Sequence, residues 1–243
     1  IDPGYNYVLL RECSESPKPT SSTANYAEKL SKNSSMDGYF SLGFRAKYTN
    51  AAGNTIKGFV TCGHAFSSNY SATTVYHGGA QIGYMTVGKR SYYDGGNTDA
   101  AFVTFYSGSS VNNSVVTATG DSYSIRTDVY SSSLALGSDV YMYGAASYAA
   151  GAPIRLGAIV NTSFTCTYDN GTTDTSDDIT IYDTVLTNYT SIKGDSGGPV
   201  FSISTTGNVL CGTQSGNWNY NYSLYSIYAK VSNTISALGV SLY

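Results

Sequence analysis

Residues 194–199 place a serine in the setting that a nucleophile requires. They read Gly-Asp-Ser-Gly-Gly-Pro, with Ser196 at the centre. A serine hydroxyl is a weak nucleophile at neutral pH, so an enzyme that uses one needs a base beside it and hydrogen-bond donors for the oxyanion that forms. The glycines permit a tight turn, in which the backbone N–H groups of Gly194 and Ser196 can converge on one point. The segment therefore predicts acyl transfer to Ser196.

Two other segments contain the base and the carboxylate that such chemistry needs. His64 lies in Thr-Cys-Gly-His-Ala at residues 61–65, and Asp99 opens the apolar run Asp-Ala-Ala-Phe-Val at residues 99–103. The order histidine, aspartate, serine is one of several unrelated chain orders in which the same geometry occurs. The second of the two histidines, His77, stands beside two glycines without a motif and is predicted to lie in a loop.

These three segments, in this order, resemble the catalytic motifs of the chymotrypsin-like serine proteases. Residues 40–44, Phe-Ser-Leu-Gly-Phe, and residues 239–243 resemble the bacterial streptogrisin-type members of that family. The resemblance covers roughly residues 39–243. It implies an all-β fold of two antiparallel six-stranded β-barrels, the chymotrypsin-like double barrel, with a C-terminal helix.

The elements that would position the three residues divide the chain into three parts. Residues 1–35 have a turn-like composition and are predicted to form an N-terminal extension, with a short helix over residues 24–32. Residues 36–122 contain apolar residues that alternate with a period of two, which predicts the first barrel, carrying the histidine and the aspartate. Residues 123–243 are predicted to form the second barrel, carrying the serine and the C-terminal helix.

Two further predictions concern the connection between the barrels and the end of the chain. The polar residues 107–121 are predicted to cross from one barrel to the other. Val231, Ile235 and Leu238 fall at helical spacing, and Gly239 is predicted to end that helix.

The resemblance implies a mechanism for the matching residues. His64 would take the proton of Ser196 and later deliver it to the leaving amine. Asp99 would hold His64 in the useful tautomer and stabilise its cation. The backbone N–H groups of Gly194 and Ser196 would bind the oxyanion.

The resemblance also implies where a polypeptide substrate binds. The residues before the nucleophile loop form the wall and floor of the main pocket in that family. Ser215 matches a serine that contacts the aspartate and begins the edge to which an extended substrate adds as a strand. The predicted substrate-binding residues are Asn188, Tyr189, Thr190, Gln214, Ser215, Gly216 and Asn217.

The composition of the predicted pocket wall limits which substrate side chains the pocket is expected to accept. Residues 188–193 contain no carboxylate that could pair with an arginine or lysine side chain, so a trypsin-like preference is not expected. We predict cleavage after an uncharged, apolar or aromatic residue. A glutamate-preferring pocket is the alternative, because Thr190 and Gln214 leave a polar pocket open.

Asp195 departs from the bacterial pattern in the partner of its carboxylate. Bacterial relatives often use an arginine within the strand and turn that match residues 140–144, and this chain has none there. One hypothesis is that the amino group of Ile1 pairs with Asp195, as the new amino terminus does in chymotrypsin-type enzymes. The competing hypothesis is that Arg155 or Arg126 provides the cation.

The four cysteines show no C-x-x-C spacing, so a zinc site is not expected. Cys62 and Cys211 lie in strand-like apolar runs, which predicts buried thiols. A bridge between Cys13 and Cys166 stays open, because a sequence does not establish the pairing of cysteines.

Composition narrows the class of protein. Charged residues make up 12% of the chain and the net charge is −3, which gives no reason to expect nucleic acid or a membrane as a partner. We expect a secreted, bacterial, monomeric enzyme without a cofactor or a metal. The rivals are an inactive relative that serves as a binding module, a Tyr/Ser/Gly-rich structural protein, and a lipase. The sequence has no internal repeat, which argues against the structural protein. It also lacks the order serine, aspartate, histidine that lipases have, which argues against a lipase.

Overall fold

The computed structural model describes most of the chain after residue 21. The described residues are 22–70, 72–117, 120–131, 134–152, 154–168, 173–220 and 222–243. Ile1 and Cys13, which enter two of the hypotheses above, lie outside these residues.

Strands dominate the described residues. In the first half of the chain they are β1 Thr23–Tyr26, β2 Lys29–Ser31, β3 Phe40–Ser41, β4 Phe44–Thr49, β5 Thr55–Thr61, β6 Thr74–His77, β7 Ala80–Arg90, β8 Asp99–Phe105, β9 Ser110–Val116 and β10 Ser122–Tyr130. In the second half they are β11 Asp139–Tyr143, β12 Ile154–Tyr168, β13 Ile179–Thr187, β14 Pro199–Ser204, β15 Gly207–Tyr220, β16 Ser223–Lys230 and β17 Ser241–Leu242. The helices are α1 Ser91–Asp94, α2 Ala145–Ala149 and α3 Val231–Leu238, with a 3₁₀ turn at Thr175–Asp177.

The strands form two sheets within the described residues. The first sheet has the order β17-β4-β5-β8-β7-β6-β2-β3, and its pairs are antiparallel. The second has the order β1-β9-β10-β15-β14-β11-β12-β13-β16, with β15 also paired to β16. In this second sheet β1 pairs with β9, and β10 with β15, in parallel. The predicted all-β fold with two sheets and a C-terminal helix is confirmed.

The centre of the first sheet explains why its strands form. The paired strands β5 and β8 place Phe59 opposite Val103 and Val60 opposite Phe102, and all four side chains are buried. Both faces of these strands are therefore covered, which favours a continuous apolar run over simple alternation. Residues 61–64 lie at the end of β5, and Asp99 is the first residue of β8. This rigid pair of strands therefore holds both segments in place.

The predicted helix over residues 24–32 is wrong. Residues 23–26 form β1, which pairs with β9, and residues 29–31 form β2, which lies between β3 and β6. Ala24 and Leu30 are fully buried. Strand pairing and burial outweigh the weak local preference for a helix in so short a segment. The division of the chain at residues 35 and 122 stays a prediction.

The chain passes from the first sheet to the second between Phe105 and Ser110, so the predicted crossing at residues 107–121 is shorter than expected. Residues 110–116 form β9, which pairs with β1 on one side and with β10 on the other. Alternate side chains of β9, Val111 and Val115, are buried, so this segment belongs to a sheet.

The end of the chain is as predicted. Helix α3 spans Val231–Leu238, and Gly239 follows it with a φ of 65° in the left-handed region, where glycine is favoured. After this turn, β17 returns to the first sheet and pairs with β4, with Leu242 opposite Ala46.

Two of the cysteines have the buried environment that the sequence predicts. Cys62 and Cys211 carry free, buried thiols, as predicted. Cys166 also carries a free, buried thiol. No helix among the described residues is long and apolar enough to cross a membrane.

Candidate active site

His64 and Asp99 are held together by the backbone of the first sheet. His64 follows β5, and Asp99 is the first residue of the neighbouring strand β8. The Asp99 carboxylate is buried and accepts two hydrogen bonds, from the backbone N–H of His64 at 2.8 Å and from its Nδ1 at 2.6 Å. Gly63 makes this approach possible, because a Cβ there would lie 1.9 Å from the carbonyl oxygen of Lys89. The imidazole orientation is thus fixed by one carboxylate that also anchors its backbone.

Burial and charge act in opposite directions on His64. Burial lowers the pKa of the imidazole, whereas the negative charge and hydrogen bond of Asp99 raise it, and the balance stands well above the usual range. The side chain remains 26% exposed, so the ring still reaches a solvent-facing cavity.

The raised pKa of His64 predicts the pH dependence of the enzyme. A general base must be neutral, so kcat/KM is expected to rise with pH with a midpoint above about 6.5, the ordinary value for histidine. The measurement is kcat/KM on a peptide substrate between pH 5 and 9. Asp99→Asn removes the charge that raises the pKa and is expected to move the midpoint downward. A midpoint below the ordinary value in the unmodified chain would contradict this prediction.

The loop that carries Ser196 lies between the two sheets. The carbonyl oxygen of Ser196 accepts the N–H of Ser41 from β3 at 2.7 Å, and the N–H of Gly197 donates to Gln214 in β15 at 2.7 Å. Gly197 has a φ of 88°, and a Cβ there would lie 2.3 Å from the Thr61 hydroxyl. The glycines of the loop are therefore required by the close contact with the first sheet.

The Ser196 hydroxyl and the His64 ring line one cavity of about 300 Å³. The other lining residues are Tyr92, Tyr93, Ser215 and Gly216. The Ser196 hydroxyl donates to the carbonyl oxygen of Ser215 at 3.4 Å. A β-bulge between Gln214 and Gly216 makes Ser215 the extra residue of β15, which brings its carbonyl to the nucleophile.

The two N–H groups predicted to bind the oxyanion belong to this loop. Gly194 has a φ of 107°, and a Cβ there would meet the ring of Tyr39 at 2.6 Å. Its carbonyl oxygen accepts the Ser41 hydroxyl at 2.8 Å, which fixes the peptide plane on that side. Within the described part of the chain, neither the Gly194 nor the Ser196 N–H donates a hydrogen bond, so both remain open to a ligand.

Asp195 is fully buried, and short polar groups surround its carboxylate. Oδ1 accepts the backbone N–H of Ser147 at 2.8 Å, and Oδ2 accepts the Ser147 hydroxyl at 2.6 Å and the N–H of Ile192 at 2.9 Å. A Cβ on Gly144 would lie 2.2 Å from Oδ1, so only glycine leaves room for the carboxylate. Ser147 belongs to α2, and this short helix therefore contacts the nucleophile loop directly.

The structure describes the surroundings of both arginines that are hypothesised to pair with the Asp195 carboxylate. The Nε of Arg155 donates to the Ser147 hydroxyl at 3.0 Å, so Arg155 reaches Asp195 through that hydroxyl. Arg126 is wrong as a partner, because its guanidinium pairs with Asp128 at the surface. No ion pair among the described residues involves Asp195, and Ile1 lies outside them.

The residues predicted to bind substrate are placed in two groups. Tyr189 is buried and its hydroxyl donates to Gln214 at 2.7 Å, so its ring forms part of the barrel core. Asn188 and Thr190 are exposed, and the Asn188 amide oxygen accepts the N–H of Ala158 at 2.7 Å. Tyr189 is therefore a core residue that is shielded from solvent.

The second group lies on β15. Ser215 and Gly216 line the cavity beside Ser196, and Asn217 hydrogen-bonds to Ser191. The Ser215 hydroxyl is buried and makes no hydrogen bond to any described residue, so the expected contact with Asp99 is not found. Its backbone carbonyl is the group that contacts the site.

His77 was predicted to lie in a loop, and this prediction is wrong. It ends β6, and its Nε2 pairs with the Glu28 carboxylate at 2.6 Å while Nδ1 meets the Ser22 hydroxyl at 2.9 Å. The His77 ring therefore links Ser22, before β1, and Glu28, between β1 and β2, to β6 of the first sheet.

Several residues of the site carry no sequence motif. The Tyr92 ring meets the His64 ring edge-on at a centroid distance of 5.5 Å. Ser147, Ser191 and Ser226 are buried polar side chains in the second half of the chain. In a chain so rich in serine and tyrosine, only the fold distinguishes these residues from surface ones.

Comparison with solved structures supports the fold on which this site is built. The chain is similar to a Nocardiopsis protease (NAPase), with 25% identity over 91% of this chain and 99% of that chain and a TM-score of 0.64. It is similar to Thermobifida fusca protease A, with 21% identity over 91% and 98% and a TM-score of 0.66. It is also similar to a glutamic-acid-specific serine protease that uses a histidine triad in substrate binding, with 22% identity over 90% and 100% and a TM-score of 0.63. No protein-family model and no curated protein sequence match the chain.

Proposed function

We propose that the chain is a secreted bacterial serine endopeptidase that acts as a monomer on polypeptides, with Ser196, His64 and Asp99 as its catalytic residues. The observation that carries the proposal is the cavity shared by the Ser196 hydroxyl and the His64 ring, together with the Asp99 carboxylate, which accepts one hydrogen bond from Nδ1 of that ring and one from the His64 backbone N–H. The chymotrypsin-like double-barrel fold of the structural relatives supports the same activity.

The geometry supports a two-step reaction. Ser196 Oγ attacks the carbonyl carbon of the substrate while the Nε2 of His64 takes its proton. The N–H groups of Gly194 and Ser196 stabilise the oxyanion, and the imidazolium then protonates the leaving amine as the C–N bond breaks. Water, deprotonated by His64, then attacks the ester carbonyl; as the bond from the acyl carbon to Ser196 Oγ breaks, the imidazolium returns the proton to Oγ and the acid is released. The buried Asp99 carboxylate stabilises the imidazolium in both steps.

One observation favours a second candidate, a latent or inactive relative that binds polypeptides. In the described structure the Ser196 hydroxyl donates to the Ser215 carbonyl, at a long 3.4 Å, and no hydrogen bond joins it to His64. In an active enzyme this hydroxyl turns toward the imidazole when substrate binds. Catalytic hydrogen bonds are often long in unliganded sites, so we place this candidate second.

The experiment is a digest of a mixed peptide library, combined with labelling by a small phosphonofluoridate that reacts with activated serines. We expect one adduct per chain, located on Ser196 by peptide mapping, and cleavage that is lost in proportion to labelling. Cleavage that survives full labelling would contradict the assignment of Ser196. The absence of both adduct and cleavage would favour the inactive relative.

The same digest tests the proposed specificity. We propose cleavage after an uncharged residue, because residues 188–193 lack a carboxylate that could pair with a cationic side chain. The alternative is cleavage after glutamate. The glutamic-acid-specific relative uses a histidine triad, whereas this chain has two histidines, of which His77 is bonded to Glu28. A majority of cleavages after arginine or lysine would contradict either specificity.

A further inference from the structure

The side chain of Asn217 in β15 is hydrogen-bonded to Ser191, in the segment that leads into the nucleophile loop. We infer that Asn217 limits the main specificity pocket to small, uncharged side chains such as alanine. This inference rests on the proposed function and names the substrate class for the same site.

Two segments flank the nucleophile and form the walls of this pocket. One is residues 188–193, which lead into the nucleophile loop, and the other is the part of β15 that follows Gln214. They are joined to the loop by the bond from the Ser196 hydroxyl to Ser215 and by the bond from the Gln214 N–H to Gly198 at 2.8 Å. The resemblance to the chymotrypsin-like proteases implies that the side chain that precedes the cleaved bond enters between these two walls.

Asn217 closes the space between the walls. Its amide oxygen accepts the Ser191 hydroxyl at 2.6 Å, and its amide nitrogen donates to the Ser191 carbonyl at 2.9 Å. The Ser226 hydroxyl donates to the same amide oxygen at 2.9 Å and accepts the Ser191 N–H at 2.9 Å. Asn217 and Ser226 are direct cross-strand neighbours in β15 and β16, so the sheet fixes this contact.

A second layer of hydrogen bonds holds this arrangement from behind. The amide nitrogen of Gln214 donates to the Ser191 hydroxyl at 2.9 Å and to the Gly216 carbonyl at 2.9 Å. The amide oxygen of Gln214 accepts the Tyr189 hydroxyl at 2.7 Å. Moving Asn217 aside would break the hydrogen bonds that the buried Ser191 and Ser226 hydroxyls donate to its amide oxygen, and the loss of a buried hydrogen bond is costly. The closed form is therefore the one that a substrate meets.

The cavity at Ser196 agrees with a short pocket. Its lining residues on β15 are Ser215 and Gly216, and neither Ser191 nor Asn217 is among them. No residue of 188–193 lines it either, so the cavity does not extend between the two walls, where Asn217 contacts Ser191. We expect a methyl or similarly small side chain to be accepted there, whereas an aromatic ring would have to displace the Asn217 amide.

The closing network also has no charge. It consists of hydroxyl, carboxamide and backbone groups, so it offers no cation to a glutamate side chain and no anion to an arginine. Lys193, the nearest cation in sequence, is exposed to solvent. A charged side chain would enter a polar but neutral pocket and lose hydration without gaining a partner.

The test is a set of peptide substrates that differ only in the residue before the cleaved bond: alanine, valine, glutamine, glutamate, phenylalanine or arginine. We expect kcat/KM for alanine to exceed that for phenylalanine and for glutamate by about tenfold or more. Asn217→Gly removes the closing amide, and we expect it to raise kcat/KM for phenylalanine by about tenfold or more while alanine gains little.

Two controls keep the outcome readable. Asn219→Gly makes the same change two residues along β15 at an exposed position, and it is expected to leave the preference unchanged. Labelling of Ser196 by the phosphonofluoridate does not depend on the pocket, so it reports on the proposed function separately. Asn217→Ala replaces Asn217→Gly if the glycine variant fails to fold.

The inference is overturned by either of two results obtained with a chain that labels normally. One is a preference of the unmodified chain for phenylalanine, glutamine or glutamate over alanine. The other is a folded Asn217 variant whose preference equals that of the unmodified chain. A chain that neither labels nor cleaves any substrate would instead contradict the proposed function.

Discussion

Ser196→Ala and His64→Ala are each expected to lower kcat by about 10⁶-fold, and Asp99→Asn by about 10⁴-fold. The three side chains act as one unit, so the double variant of Ser196 and His64 is expected to be no slower than either single variant. The measurement is kcat on a chromogenic peptide, with the fold checked by circular dichroism.

The loss expected for Asp99→Asn has a definite structural reason. The carboxylate accepts hydrogen bonds from both the backbone N–H and the Nδ1 of His64. An asparagine amide has one accepting oxygen, and the backbone N–H always needs it. The amide NH₂ then faces Nδ1, which keeps the ring proton on Nε2, and Nε2 can no longer accept the Ser196 proton.

Asp94→Asn is the matched control for Asp99→Asn. Asp94 lies in α1 near the site, but its carboxylate pairs with Arg90 at the surface, and Tyr92 between them is the residue that contacts His64. We expect this variant to keep the unmodified kcat. If Asp99→Asn loses no more activity than Asp94→Asn, the assignment of Asp99 as the orienting carboxylate is wrong.

Ser147→Ala is expected to lower both the stability of the fold and kcat. It removes a hydrogen bond to a fully buried carboxylate, which costs about 1.5–3 kcal/mol in the free energy of unfolding. It also disconnects Arg155 from Asp195. Asp195 lies between the two residues that present the oxyanion N–H groups, so its displacement is expected to cost about 10²-fold in kcat, the loss of one such donor.

Arg155 and Arg126, the two arginines hypothesised to pair with Asp195, offer matched variants that test this prediction. Arg155→Gln is expected to lower stability and kcat in the same direction as Ser147→Ala but by less, because the serine hydroxyl still bonds to the carboxylate. Arg126→Gln is expected to change neither, since Arg126 pairs with the exposed Asp128. Thermal unfolding and kcat are the measurements.

An unchanged Ser147→Ala variant would contradict this account of Asp195 and would favour the Ile1 amine as its partner. A version of the chain with one extra residue before Ile1 separates the two. Full activity of that version excludes the Ile1 amine, because the added residue moves the charged group away from the carboxylate.

The residues proposed as catalytic can be recognised in the sequence because the requirements of their chemistry are local. The glycines around Ser196 are needed by the turn itself, and the Gly63 beside His64 is needed by a close backbone contact. Such requirements leave a motif within a few residues. Helix α3 is equally accessible, since Val231, Ile235 and Leu238 fall at helical spacing and Gly239 ends the helix.

The support of the site could not be predicted, because it depends on residues that meet only in the fold. Ser191 and Ser226 are 35 residues apart and share a hydrogen bond through the pairing of β13, β15 and β16. The strands β1 and β2 could not be predicted for the same reason. Their partners, β9 and β6, lie far along the chain, and four-residue segments have no period that distinguishes a strand from a helix.

The return of β17 to the first sheet has a consequence for the order in which the enzyme is assembled during synthesis. The ribosome synthesises β4 and β5 early, and Ala46 and Lys47 can pair with β5 at once, but their partners on the other side of β4 are residues 241–242. Until these residues have emerged, the outer edge of β4 is unpaired, and the sheet that carries His64 and Asp99 is incomplete. We therefore expect this edge to be open to pairing with other strands until the last described residues have been synthesised.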